Sequence, residues 1–206
     1  RHMIEKHYPA HGIIGEEYGN KEGSSGLTWI LDPVDGTRAF VIGLPTWATL
    51  IALYDDGEPV LGVMSQPFTG DVFFGHAGGA WLIHRGNRQD IRVGLSRSLA
   101  ESMAGTTSPH LYRNESAASF ERLRTVMKSV RYGLDSYSFA LLAAGHLDIA
   151  MDPALQIYDI AALIPIMQGA GAVVSTWTDY DPRQGGNVFA ASSQTLLDEA
   201  LRVMKG

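Results

Sequence analysis

The sequence contains no cysteine. That excludes disulfides, a thiolate nucleophile and any Cys-ligated zinc or iron–sulfur centre, and it fits a cytoplasmic protein. Positive charge is also scarce: 16 Lys and Arg stand against 22 Asp and Glu, the net charge is −6, and no dense basic run occurs. A chain with so little positive field offers no footing for nucleic acid or an anionic membrane surface. Long apolar runs are missing too. The longest, residues 48–54 and 160–167, fall well short of the roughly 20 residues a membrane helix needs, and no signal-peptide pattern precedes them, so a soluble protein is expected. What remains is material for a core: 45% of the 206 residues are hydrophobic and 18% charged, enough for one large domain or two small ones.

Residues 1–7 read as the end of a helix, broken at Tyr8-Pro9. From Thr28 onward short β-rich runs follow at 29–31, 46–54, 60–66, 72–75 and 80–84, punctuated by Asp56-Gly57 and Gly78-Gly79. These spacings predict antiparallel hairpins in one sheet. After about Leu95 helix and strand alternate. Phe120, Leu123, Val126 and Met127 share one face of a helix over 115–128, and Asp135 is placed to cap a small-residue helix through Ala144. A buried strand is expected at 147–151. Asp159 then starts a helix over 160–168, Gly169-Ala170-Gly171 ends it, and a strand follows at 172–176. Leu196, Leu197, Ala200, Leu201 and Met204 line one side of a last helix. The expectation is an N-terminal α+β half over 1–94 and a C-terminal α/β half with a mixed sheet over 95–206.

The segment richest in chemistry is Asp32-Pro33-Val34-Asp35-Gly36-Thr37, where a strand delivers two acids into a Pro- and Gly-containing turn. Two carboxylates so close repel each other unless a cation lies between them. A hard divalent ion takes oxygen ligands, and a Pro-stiffened turn can aim Asp32, Asp35 and an intervening carbonyl at one point. Gly36 and Thr37 then offer amides for a phosphate oxygen. An ordinary solvated turn also fits these residues, because Asp, Pro and Gly dominate turns on conformational grounds alone. An EF-hand loop does not fit: the acids are three apart, and the twelfth position counted from Asp32 is Gly43. The Asp-x-Asp-Gly-Thr pattern of aspartyl-nucleophile phosphatases misses by one residue, which separates a covalent mechanism from a metal-activated water. Gly15-Glu16-Glu17 upstream is by itself compatible with a solvated surface, and Tyr158-Asp159 downstream with a plain helix cap.

Together, Gly15-Glu16-Glu17, Asp32-Pro33-Val34-Asp35-Gly36-Thr37 and Tyr158-Asp159-Ile160-Ala161-Ala162 ahead of Gly169-Ala170-Gly171 resemble the inositol monophosphatase superfamily in order, spacing and flanking residues. The resemblance runs from Gly12 to the C-terminal helix. It implies an inositol monophosphatase-like α-β-α-β-α layered sandwich, a Mg²⁺-dependent phosphomonoesterase with two to three ions, and a homodimer acting on a small phosphate ester. By the same resemblance Glu16, Asp32 and the Val34 carbonyl bind one metal, Asp32, Asp35 and Asp159 a second, and Glu16 reaches a third. Thr37, bonded near Glu16, orients the attacking water, and the Gly36 and Thr37 amides hold the phosphate.

Within the superfamily, Thr37-Arg38-Ala39-Phe40 with Gly43-Leu44-Pro45-Thr46-Trp47, and the stretch from Arg131 to Tyr137, look most like the histidinol-phosphate phosphatases of histidine biosynthesis. Asp135 and Asp152, with Arg38, are the candidate substrate residues: histidinol carries an ammonium and an imidazole for the two acids. Asp135 as a helix cap remains the competing reading. An inositol-1-phosphate or broad-specificity phosphatase needs only a different pocket. A catalytically silent relative would be indicated by a missing ligand or water-orienting Thr, and Glu16, Asp32, Asp35, Thr37 and Asp159 are all present. Two features depart from the family pattern: the family usually has a longer helical region before Gly15-Glu16-Glu17, so that residues 1–7 are expected to be the end of a helix that starts earlier in the intact protein, and Ala172 replaces a glycine common after Gly169-Ala170-Gly171.

Overall fold

The computed structural model describes residues 1–95, 97–178 and 181–206. Helix α1 (His2–His7) leads into β1 (Gly12–Gly15), followed by β2 (Leu27–Asp35), α2 (Thr37–Ile42), β3 (Ala48–Asp55), β4 (Glu58–Gln66), β5 (Asp71–His76), β6 (Gly79–His84) and β7 (Asn87–Ile91). The seven strands form one sheet in chain order. β2 to β7 pair as antiparallel hairpins, as the run spacing predicts, whereas β1 lies parallel to β2. Asp56-Gly57 makes the β3–β4 turn with both residues at positive φ (45° and 86°), which suits the twist of a two-residue hairpin. The edge strand β7 carries the polar run Asn87-Arg88-Gln89-Asp90 and is almost wholly exposed, so no apolar alternation announced it.

The second half begins with β8 (Met103–Gly105), α3 (Glu115–Val126), β9 (Ser129–Arg131), α4 (Tyr137–Ala143) and β10 (Ile149–Leu155). α5 (Ile157–Ile160), α6 (Leu163–Gly169), β11 (Val173–Thr176), β12 (Gly186–Ala191) and α7 (Gln194–Lys205) complete it. Its sheet runs β11-β12-β10-β8-β9 and is mixed: β8 pairs in parallel with β9 and β10, and β12 is antiparallel to β10 and β11.

Period-two alternation sorts this second sheet into layers. Ala150, Val188 and Ala190 face a core shared with α4, α6 and the first sheet, while Ile149, Met151, Phe189 and Ala191 face the outer pair α3 and α7. α6 crosses β4, β5 and β6 at close range because two strand positions have no side chain. A Cβ at Gly62 would stand 1.9 Å from the Ala162 oxygen, and one at Gly75 2.3 Å from Ile166 Cα.

Three helix expectations need correction. Phe120, Leu123 and Met127 are buried but Val126 is 42% exposed, because α3 ends there and Met127 is already extended (φ −83°, ψ 155°). The stretch after Asp159 is two helices rather than one: Pro165 has no N–H to give the Ala161 carbonyl, so the backbone breaks and Pro165 sits in the first turn of α6. Ser136, not Asp135, is the residue ahead of α4, and it makes no side-chain cap. Among the described residues no helix is long and apolar enough to cross a membrane.

Candidate metal centre and adjoining cleft

In a regular strand, residues three apart point to opposite faces. Asp32 and Asp35 do not, because β2 bulges between them. Asp32 pairs with Leu50 and Asp35 with Ala48, so three steps on β2 match two on β3 and both acids turn to the buried face that carries Ile30. The backbone groups the bulge leaves over are met locally. The Thr49 hydroxyl donates to the Pro33 carbonyl (2.8 Å) and the Val34 N–H to Asp32 Oδ1 (2.9 Å). Gly36 then takes a left-handed conformation (φ 77°) to enter α2, in a space bounded by Trp47 and Asp135.

Asp159 reaches the same point from the other half of the molecule. It is the third residue of α5 in a capping box with Gln156, its Oδ2 accepting the Gln156 N–H at 2.7 Å, and not the helix-starting cap expected from sequence. One carboxylate oxygen each from Asp32, Asp35 and Asp159 lies within 4.8 Å of the others. Each acid takes one backbone N–H, Asp35 from Ser136 at 3.0 Å, which leaves carboxylate capacity facing the common point. Glu16 stands just outside this triad, exposed just past the end of β1, with its N–H on the Leu31 carbonyl (3.2 Å) and its carboxyl group close enough to raise the pKa of Asp32. The Thr37 hydroxyl donates to the Val34 carbonyl (3.1 Å) rather than toward Glu16.

The electrostatics match the crowding. Burial, then the charges of Asp35 and Glu16, push the Asp32 pKa up to about 9 against one opposing N–H. Burial lifts Asp35 to about 7 despite the Ser136 hydroxyl and N–H, and lifts Asp159 to about 6. Oxygen-only donors that hold protons above the usual carboxylate range for want of counter-charge are the donor set a hard divalent cation fits.

Beside the triad lies a cleft of ≈170 Å³ whose lining includes Asp35, Asp159, Asp135, Ser136 and Asp152. Asp152 is 1% exposed. Its carboxylate accepts the Thr106 hydroxyl (2.7 Å) and the Thr107 N–H and hydroxyl (2.8 and 2.9 Å), while burial raises its pKa to about 7. Asp135, at positive φ (46°), is half-buried. Burial raises its pKa, and the Thr107 hydroxyl and Arg38 guanidinium hold it back. Arg38 itself is exposed.

Sequence reasoning missed Ser136 and Thr107, single hydroxyl residues with nothing in their spacing to mark them. It also missed that Asp152-Pro153-Ala154 repeats the device of Asp32-Pro33-Val34: three steps of β10, from Asp152 to Leu155, again match two of its neighbour, with Ala154 at φ 57°. The available signal was Asp-Pro inside a strand, since proline enters sheets at edges and bulges.

The sequence profile of the inositol monophosphatase family matches residues 1–204. Among similar proteins, the chloroplastic bifunctional phosphatase IMPL2 of Arabidopsis thaliana is 39% identical over 178 residues, covering 85% of this chain and 51% of the relative. A histidinol-phosphatase of Mycobacterium tuberculosis is 34% identical over 209 residues, covering 98% of this chain and 78% of the relative. This chain thus spans about half of the first relative's length and about four-fifths of the second's. In three dimensions it superposes on an inositol monophosphatase from Zymomonas mobilis with a TM-score of 0.89 at 34% identity, over 100% of this chain and 79% of the other. Profile, sequence and layered architecture agree, and the chain belongs to the inositol monophosphatase family.

Proposed function

We propose that the protein is a Mg²⁺-dependent phosphomonoesterase that hydrolyses histidinol phosphate to histidinol. The observation that carries the reaction class is the convergence of Asp32, Asp35 and Asp159 from two halves of the fold, buried and short of counter-charge, beside an open cleft. These three acids would hold Mg²⁺, with Glu16 and the Val34 carbonyl completing the ligand sets of two to three ions. When bound, the metal supplies Lewis acidity that makes water nucleophilic and stabilises the departing alkoxide. The chain's own groups do the rest. The amides of Gly36 and Thr37 receive phosphate oxygens at the first turn of α2, and the Thr37 hydroxyl orients the attacking water by way of its bond to Val34. Asp135, whose carboxyl group lies against Gly36 and does not cap α4, meets the cationic end of the substrate, with the Arg38 guanidinium acting on it. Asp152 has three of its lone-pair sites filled by Thr106 and Thr107, so it contributes to that end chiefly by holding Thr107 in place.

Histidinol phosphate is favoured by the acidic lining of the cleft and by the similarity to a histidinol-phosphatase over 98% of the chain. Inositol 1-phosphate is the second reading, favoured by the similarity to an inositol monophosphatase over the full chain. Steady-state rates on histidinol phosphate, inositol 1-phosphate and a 3′-phosphonucleotide, with and without excess EDTA, test both. A kcat/KM for inositol 1-phosphate above that for histidinol phosphate would remove the first reading, and full activity in EDTA would remove the metal.

A further inference from the structure

A row of cross-strand neighbours leads across the end of the first sheet from Asp35. Asp35 lies opposite Ala48, the pairing of Thr49 with Ser65 brings Ala48 beside Gln66, Gln66 lies opposite Asp71, and Asp71 opposite His84. Such neighbours share a face, here the buried one: Ala48 and Gln66 are fully buried and Asp71 is 7% exposed. Gln66 fixes its own turn and the loop before β3, accepting the Thr69 N–H (2.6 Å) and donating to the Pro45 and Trp47 carbonyls (2.7 and 3.1 Å). The Asp71 carboxylate accepts the hydroxyls of Thr69 (2.7 Å) and Tyr137 (3.0 Å) and pairs with His84 Nδ1 (2.5 Å). Burial, then Asp71 itself, pushes the Tyr137 pKa up to about 12, so the phenol stays a donor at neutral pH. Tyr137 opens α4, its ring edge-on to Phe73 with centroids 6.0 Å apart. The start of α4 is thus tied to the first sheet at two points three strands apart: the Ser136 N–H on Asp35 of β2 and the Tyr137 hydroxyl on Asp71 of β5.

We propose that Asp71, acting through the Tyr137 hydroxyl, is a positioning residue for the metal centre, holding the start of α4 where the Ser136 N–H meets Asp35. A seven-residue helix with no side-chain cap does not fix its own first turn, so its place is set by what the turn is bonded to. With the Tyr137 bond cut, the Ser136 N–H loses its fixed distance from Asp35, and the carboxylate loses the donor that orients it toward the triad. The inference rests on the metal-centre reading above and extends it to two residues that line neither the triad nor the cleft. His84, half-exposed at the outer end of the row, balances the Asp71 charge without touching α4's bond to it, which makes charge and position separable by substitution.

The test compares wild type, Tyr137→Phe and His84→Gln, each well below its melting temperature. Phenylalanine keeps the ring on Phe73 and deletes only the hydroxyl, whereas His84→Gln deletes the ion pair and leaves the Tyr137 bond. The readouts are the Mg²⁺ Kd by calorimetry, hydrogen exchange of the Ser136 amide, and kcat and KM on the preferred phosphate ester. Tyr137→Phe should raise the Kd roughly tenfold, speed Ser136 exchange roughly tenfold or more, and lower kcat roughly 10–100-fold with KM changed less than about threefold. His84→Gln should leave each within about threefold of wild type, whatever it does to the melting temperature. A merely structural bond would lower the melting temperature of Tyr137→Phe and leave the Mg²⁺ Kd and Ser136 exchange of the folded protein unchanged, and that result overturns the proposal. Equal losses in the two variants also overturn it, since the effect would then travel as charge rather than position. Wild type that binds no Mg²⁺ would instead remove the metal-centre reading. Wild type that binds Mg²⁺ but hydrolyses no phosphate ester would remove the phosphatase reading, and the Kd and exchange comparison would still decide the role of Tyr137.

Discussion

Adding Mg²⁺ to the metal-free protein should expel protons, and the number follows from the three acids. At pH 7 an Asp32 carboxyl with a pKa of about 9 is almost fully protonated, Asp35 at about 7 is half protonated, and Asp159 at about 6 carries about a tenth of a proton. Cation binding needs all three ionised, so about one and a half protons leave per site at pH 7, falling to about half a proton at pH 9. Affinity therefore climbs with pH, by about three orders of magnitude between pH 6 and pH 8. Isothermal titration calorimetry in two buffers of different ionisation enthalpy counts the protons directly. Asp32→Asn should remove about one of them at pH 7 and abolish turnover while leaving the chain folded. The same shifts act on stability. All three pKa values are raised in the folded state, so the folded chain binds more protons than the unfolded one from about pH 4 upward. Metal-free protein should lose stability as pH rises through about 6, 7 and 9, and Mg²⁺ should cancel the slope. Heat exchange at pH 7 that is independent of buffer, meaning no protons released, would refute the idea that these acids are held protonated for want of a cation.

Thr37→Ala should lower kcat by roughly 10²–10⁴-fold with a smaller change in KM, and a loss under about tenfold would remove the water-orienting role. Asp135→Asn should reduce kcat/KM for histidinol phosphate by roughly 10–100-fold and for inositol 1-phosphate by less than about threefold; equal losses on the two substrates would return Asp135 to a scaffolding role. Gly62→Ala sets a Cβ 1.9 Å from the Ala162 oxygen, a clash with backbone that cannot swing aside. It should cost roughly 2–3 kcal/mol and lower Tm by about 5–10 °C, and a change within about 2 °C would show that α6 rides higher on the sheet than described.

The hairpin strands were legible because their apolar alternation and the Asp56-Gly57 turn are local signals, and the last helix because Leu196, Leu197, Ala200 and Met204 repeat at helical spacing and are buried as that spacing requires. Val126 shares the spacing of Phe120 and Leu123 yet stays exposed, since periodicity cannot say where the helix stops. The strand β7 was illegible because an edge strand with polar side chains carries no burial pattern.

For the site, sequence alone determined the donor chemistry: which acids exist, their order, and that two of them flank a proline in a strand about to turn. Whether Asp32 and Asp35 share a face was decided only in the sheet, by one extra residue of β2 against β3 that reverses the sense of every side chain beyond it. Whether Asp159 meets them was decided by the packing of two halves joined over more than a hundred residues. Local steric and periodic rules act within a few residues and are written in the chain, whereas convergence, burial and unsatisfied valence are properties of neighbours that only the folded structure brings together.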